Sequence, residues 1–152
     1  MTRRALAALL ALPFVARAAE SSLPFPRSLP EEARAAAARK EPLVLLVSLP
    51  GCPFCEQVRR SYLLPMSREE GMHAFQIDVA DARRSLIAFG GRQKHPVDLV
   101  REWKVDVTPT VLFLGPTGQE IAERLVGIAV PSFYGGYLDQ RLDAARRALK
   151  PT

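Results

Sequence analysis

The chain has two cysteines, Cys52 and Cys55, with Pro53 and Phe54 between them. A two-residue gap brings both sulfurs together when the segment opens a helix. It suits three kinds of chemistry: reversible disulfide exchange, a structural cross-link, or shared ligation of a soft metal. A structural bridge is the least informative of these, because so small a loop barely restricts the unfolded chain. A zinc site needs four ligands. The remaining candidates, His73 and His95, stand 22 residues apart, far from the roughly three-to-five-residue spacing of zinc-finger histidines. They read as surface residues or, for His95 just ahead of Pro96, a helix cap, so no metal is expected.

Exchange chemistry draws its support from the surroundings of the pair. Leu43-Val44-Leu45-Leu46-Val47 is a continuous apolar run stopped by Pro50-Gly51, which fits a strand buried on both faces. Pro53 is compatible with a first helical turn, and Phe54, Val58 and Tyr62 recur at helical spacing until Pro65, where the helix is expected to stop. Cys52 then sits at a helix N-terminus, where free backbone N–H groups stabilise a thiolate and make it the attacking sulfur. Cys55, one turn later and facing inward, is the resolving thiol that attacks the mixed disulfide and releases the product.

Around this core the other elements follow from capping and periodicity. Ser28, Pro30, Glu31 and Glu32 spell a helix start before an alanine-rich stretch to Arg39. Ala74–Val79 reads as a second central strand. The segment 80–94 is the least legible, with Ser85–Phe89 a short helix end or an extra strand and Gly90-Gly91 its turn. Pro96 opens a short helix with Leu99 and Trp103 one turn apart. Thr110–Leu114 and Glu120–Val126 form a hairpin around Gly115-Pro116-Thr117-Gly118, Gly127 ends it, and a last helix carries Leu138, Leu142, Ala145 and Leu149 on one face. This order builds an α/β domain with a central mixed sheet and helices on both faces.

At the front, Arg3 and Arg4 precede an apolar run from Ala5 to Val15 that ends in the small residues of Ala16-Arg17-Ala18. This is the pattern of a cleaved secretory signal peptide over 1–18, and the run is too short for the roughly twenty residues a membrane span needs. The two arginines leave ordinary and twin-arginine export both open. Residues 19–27, with Pro24 and Pro26, are expected to be an extended lead-in, with the ordered domain over 28–152. The whole chain carries 21 basic and 16 acidic residues. Three of the basic ones lie in the signal, so the mature chain is nearly neutral and argues for no nucleic acid or other charged partner. Arg59, Arg60, Arg83, Arg84, Arg92 and Lys94 are interspersed as on a solvated face and are given no role.

Gly51-Cys52-Pro53-Phe54-Cys55, then Val107-Thr108-Pro109-Thr110 leading into a strand, then Gly127 after the hairpin, together resemble the thioredoxin superfamily over roughly 43–149. Within it, Pro50-Gly51-Cys52-Pro53-Phe54-Cys55 is most similar to bacterial periplasmic thioredoxin-like proteins, including those associated with sulfur oxidation. The resemblance implies a cis Thr108–Pro109 bond, with the Thr108 backbone pairing to an extended substrate beside Cys52. Two departures stand out. Thioredoxin keeps a buried carboxylate six residues before its first cysteine, where this chain has Leu46. Its glycine-proline pair between the cysteines is replaced by Pro53-Phe54, closer to glutaredoxin's proline-tyrosine.

The resemblance implies a protein-disulfide oxidoreductase of the periplasm that needs no cofactor. It would act as a monomer on thiols and disulfides of exported proteins, in the reducing direction, with a membrane electron donor. A disulfide-forming oxidase or isomerase is the alternative within this class. Outside it stands a binding module that holds a partner or Cu(I) through both thiolates. Glutathione-dependent chemistry ranks below these, because export removes the chain from the usual glutathione pool.

Overall fold

The computed structural model describes residues 21–151; the signal peptide expected over 1–18 lies outside them. In chain order the elements are α1 (Leu29–Ala38), β1 (Leu43–Ser48), α2 (Pro53–Val58), a π-helical segment (Arg59–Leu63), α3 (Leu64–Glu69), β2 (Ala74–Asp78), β3 (Leu86–Ile87), β4 (Gln93–Lys94), α4 (Pro96–Glu102), β5 (Thr110–Leu114), β6 (Glu120–Val126), a 3-10 turn (Pro131–Phe133) and α5 (Tyr134–Ala148).

The apolar run Leu43–Val47 is the spine. Every residue of β1 is buried, and its alternating side chains divide between two layers. Leu43, Leu45 and Val47 pack with Leu29, Ala33 and Ala36 of α1 and Leu99 and Val100 of α4. Val44 and Leu46 pack with Val58, with Leu63 and Leu64, and with Leu138, Leu142 and Ala145 of α5. Each fully buried aliphatic side chain of this kind contributes roughly 1.5–3 kcal/mol. The sheet runs β2–β1–β5–β6, with β2 parallel to β1 and the other two pairings antiparallel. The β5 register sets Thr110 opposite Val47. The loop entering β5 and the loop leaving β1 therefore lie at the same end of the sheet.

Two features differ from the sequence reading, and a third, the segment 80–94, which the sequence leaves open between a helix end and an extra strand, takes the strand form. Pro65 does not stop its helix. A proline lacks the N–H and crowds the carbonyl four residues back. Here a π segment precedes it, in which the Leu64 N–H donates to the Arg59 carbonyl five residues back. The shifted ladder puts Pro65 in the first turn of α3, where no donor is required.

The lead-in is docked over its described part. The Pro24 carbonyl accepts from Gln76 N–H and the Arg27 carbonyl from Ile87 N–H, each at 2.9 Å, and Leu23 is buried. Ser28 holds the cap position of α1 by its backbone alone, without a side-chain cap bond.

The segment 80–94 resolves as a small antiparallel pair. Leu86 lies opposite Lys94 and Ile87 opposite Gln93, around a turn in which Gly90 and Gly91 both have positive φ. Only glycine takes two such positions in a row without strain.

Candidate redox site

β1 ends at Ser48, and the chain must reverse within three residues to open α2. Gly51 makes the reversal at φ +74°, with the Cys52 N–H donating to the Leu49 carbonyl at 3.2 Å. Cys52 is the N-cap of α2 in extended conformation, Pro53 occupies the first turn, and the Cys52 sulfur accepts the Cys55 N–H at 3.2 Å. A helix-terminal donor aimed at the sulfur is the arrangement that stabilises a thiolate.

The two cysteines form a disulfide with their Cα atoms 5.2 Å apart. Cys52 is partly exposed and Cys55 fully buried. An incoming sulfur can therefore reach only Cys52, which leaves Cys55 the inner position.

At the same end of the sheet as the pair, the Thr108–Pro109 peptide is cis. The Pro109 carbonyl accepts from Gly127 N–H at 2.7 Å, and the Thr110 hydroxyl donates to the Val107 carbonyl at 2.7 Å. These bonds fix the loop, while the Thr108 main chain has no hydrogen-bond partner among the described residues. Phe54, Leu49, Val107 and Val126 are exposed. They come from the cysteine loop and α2, the proline loop and the end of β6, which the β1–β5–β6 register gathers at one end of the sheet.

Leu46 is fully buried and apolar, so no carboxylate stands at that position. His73 lies at the opposite end of β1, where its carbonyl accepts the Val44 N–H, and its ring approaches Arg39. His95 caps α4, with Nδ1 2.8 Å from the Arg84 carbonyl.

One residue assigned to a solvated face is not on it. Arg59 is buried, with its side chain 7% exposed, whereas Arg60 beside it is 65% exposed. The Arg59 Nε donates to Gln76 Oε1 at 2.6 Å, Nη2 to Ser48 Oγ at 3.0 Å, and Nη1 to Glu56 Oε1. The signal lay in the spacing: Arg59 adjoins Val58 on the inward side of the helix, four residues after the inward-facing Cys55. Nearby, Tyr134 is buried with its hydroxyl unpartnered among the described residues, and its ring lies 5.1 Å from that of Tyr62. Burial, reinforced by Tyr62, raises its phenol above the usual tyrosine range.

Residues 29–141 match the family model described as a thioredoxin-like domain. Among solved structures, a poplar thioredoxin h mutant is similar at 19% identity and a TM-score of 0.57, over 93% of this chain and 95% of the other. The oxidised form of mitochondrial thioredoxin 3 from Saccharomyces cerevisiae is similar at 18% identity and 0.51, over 80% and 93%. A thioredoxin from Nicotiana alata is similar at 19% identity and 0.51, over 81% and 99%. At these identities the likeness is one of fold. No curated protein matches the sequence.

Proposed function

The chain belongs to the thioredoxin-like domain family, and from that premise we propose that it is a periplasmic protein-disulfide oxidoreductase, working on exported proteins chiefly as a reductase. The observation that carries the exchange reading is the asymmetric pair: a disulfide at a helix N-terminus with Cys52 reachable and Cys55 buried behind it; the reducing direction rests on the resemblance.

In the reducing direction the cycle starts from the dithiol. The Cys52 thiolate attacks a substrate disulfide; a Cys52–substrate bond forms, the substrate S–S bond breaks, and one substrate sulfur leaves as thiolate. Cys55 then attacks Cys52, the Cys52–Cys55 bond forms, and the second substrate sulfur departs with its electron pair. The protein is oxidised and the substrate reduced. A membrane electron donor restores the dithiol.

The unpaired Thr108 main chain offers an extended substrate strand a place to pair, and the exposed Phe54 and Val107 cover its flanks. Pro53 sets the first helical turn that presents Cys52. Localisation rests on the apolar leader over 1–18. No helix among the described residues is long and apolar enough to cross a membrane.

The test is the reduction potential of the mature chain, equilibrated against glutathione and dithiothreitol, together with trapping in Cys55→Ser. A potential near about −270 mV with mixed disulfides through Cys52 supports the reductase. One near about −120 mV makes it a disulfide-forming oxidase. Thiols that never pair sink the exchange reading.

A further inference from the structure

Arg59 takes no part in the exchange steps above, yet it is the one charged side chain in the buried set among the described residues. Burying a guanidinium costs several kcal/mol unless it is fully hydrogen-bonded, and an apolar residue of similar volume usually serves packing as well or better. The three partners of Arg59 come from β1, β2 and α2, an arrangement that packing alone does not require.

Its placement supplies a reason. Arg59 follows Cys55 by one helical turn, so the two side chains share a helix face. Its contacts to Glu56, three residues earlier, and to Ser48, the last residue of β1 before the cysteine loop, carry the guanidinium back along α2 to the strand end from which the cysteine loop departs. Ser48 stands two residues beyond Leu46 in β1, and Gln76 is the register partner of Leu46 in β2. Where thioredoxin keeps a buried carboxylate, this chain has an apolar residue, and the buried charge beside it is positive.

We propose that Arg59 is a positioning residue for the redox pair: its guanidinium holds Cys55 toward the thiolate in the reduced protein and makes Cys52–Cys55 a more oxidising pair than the same fold without it. The proposal rests on the exchange reading but not on the direction of electron flow.

Reducing the pair takes two electrons, breaks the S–S bond and, with one proton taken up, leaves one thiol and one thiolate. Burial by itself opposes an ionised Cys55. A nearby cation offsets that penalty, so in the mixed disulfide Cys55 gives its proton to the first substrate thiolate released and attacks Cys52 as a thiolate, the electron pair leaving on the second substrate sulfur. Because the reduced pair carries one negative charge on two adjacent sulfurs and the disulfide carries none, the same cation favours the reduced form and raises the potential.

The other groups facing this region are Glu56, shared with the exposed Arg60 at 2.9 Å, and Asp78, opposite Ser48 in register and accepting the Ala80 N–H. The phenols of Tyr62 and Tyr134 lie on the π segment and α5. Arg60 is solvent-exposed enough to be screened; Arg59 is not, and Glu56 acts on the pair through its direct contact with the guanidinium.

The test has two readouts. In a Cys52→Ser background, thiolate absorbance gives the pH at which Cys55 ionises; Arg59→Met should raise it by about one pH unit, and Arg59→Lys should recover most of that. In the two-cysteine protein, Arg59→Met should shift the glutathione equilibrium about tenfold toward the protein disulfide, about 30 mV. If Arg59→Met fails to fold, Glu56→Gln, at a side chain 43% exposed, should shift both readouts the opposite way. A folded Arg59→Met, or failing that Glu56→Gln, in which neither readout moves overturns the proposal. A wild-type pair that never exchanges with glutathione sinks the exchange reading instead, while the ionisation of Cys55 still reports on Arg59 alone.

Discussion

On one face of the sheet, Leu43, Leu45 and Val47 meet the small and aliphatic side chains of α1 and α4, and no charged group is buried there among the described residues. On the other face, Val44 and Leu46 meet an apolar layer from α2 to α5, but the same layer takes in Arg59 with Ser48 and Gln76, the orphaned Tyr134 hydroxyl and a π segment. Both faces hide the same strand from water. The first does so with aliphatic groups and the neutral Thr110, opposite Val47, whose hydroxyl is matched locally by the Val107 carbonyl, whereas the second buries a charge that must be matched across three elements. Buried charge returns little stability for its cost, so its placement on the face that carries the cysteines separates the layer that holds the fold from the layer that shapes the chemistry.

The largest expected effect lies at the tip of the second face. Cys52→Ser should bring reduction of a model disulfide protein down to the uncatalysed rate, while near-ultraviolet circular dichroism stays that of a folded domain. Loss of the fold along with the activity would mean that the pair is structural and would erase the distinction between faces.

Next comes Leu45→Ala, on the first face. Its side chain is fully buried, and truncation should cost about 2–5 kcal/mol in urea unfolding. The glutathione equilibrium of the folded fraction should not move. A moved equilibrium would show that the two layers are coupled through β1.

Ser48→Ala probes the second face more gently. It leaves the Arg59 Nη2 donor without its hydroxyl partner, which should cost about 1–2 kcal/mol, less than Leu45→Ala. Unlike Leu45→Ala, it should also shift the redox equilibrium a few-fold, because the guanidinium is freed to turn from the cysteines. A purely thermodynamic loss would place Ser48 with the first face in function, whatever its contacts.

The sequence made much of this legible, for reasons that also explain what it hid. β1 announces itself as a continuous apolar run stopped by Pro50-Gly51, the hairpin β5–β6 by its turn residues and α5 by its periodicity, and the cysteine spacing gains meaning from the strand before it and the proline after Cys52. What was missed depends on tertiary partners. Pro65 reads as a helix stop because a π segment leaves no local mark in composition. The two-residue strands β3 and β4 are too short for alternation to register. The lead-in looks free until Gln76 and Ile87 are seen donating to it. Arg59 reads as surface because arginine usually is; only its position after Val58 and four residues from Cys55 hinted otherwise.

The smallest expected effect tests whether chemistry is confined to the second face. Asp81 lies in the connection from β2 to β3. Burial by itself would raise its carboxyl, but the Arg84 N–H, the Arg84 guanidinium and the Arg83 N–H outweigh that and hold it below its ordinary value. A depressed carboxyl contributes stability that is present above its unfolded value, about 3.9, and is lost as pH falls through the lower folded value. Because its ion-pair partner Arg84 is more than half exposed, the contribution is at most about 1 kcal/mol. Asp81→Asn should therefore lower stability slightly at neutral pH, with the gap to wild type closing as the pH drops below about 4, and it should leave the glutathione equilibrium untouched. If Asp81→Asn moves that equilibrium as far as Ser48→Ala does, the redox pair senses the fold as a whole, and the division between a supporting face and a chemical face fails.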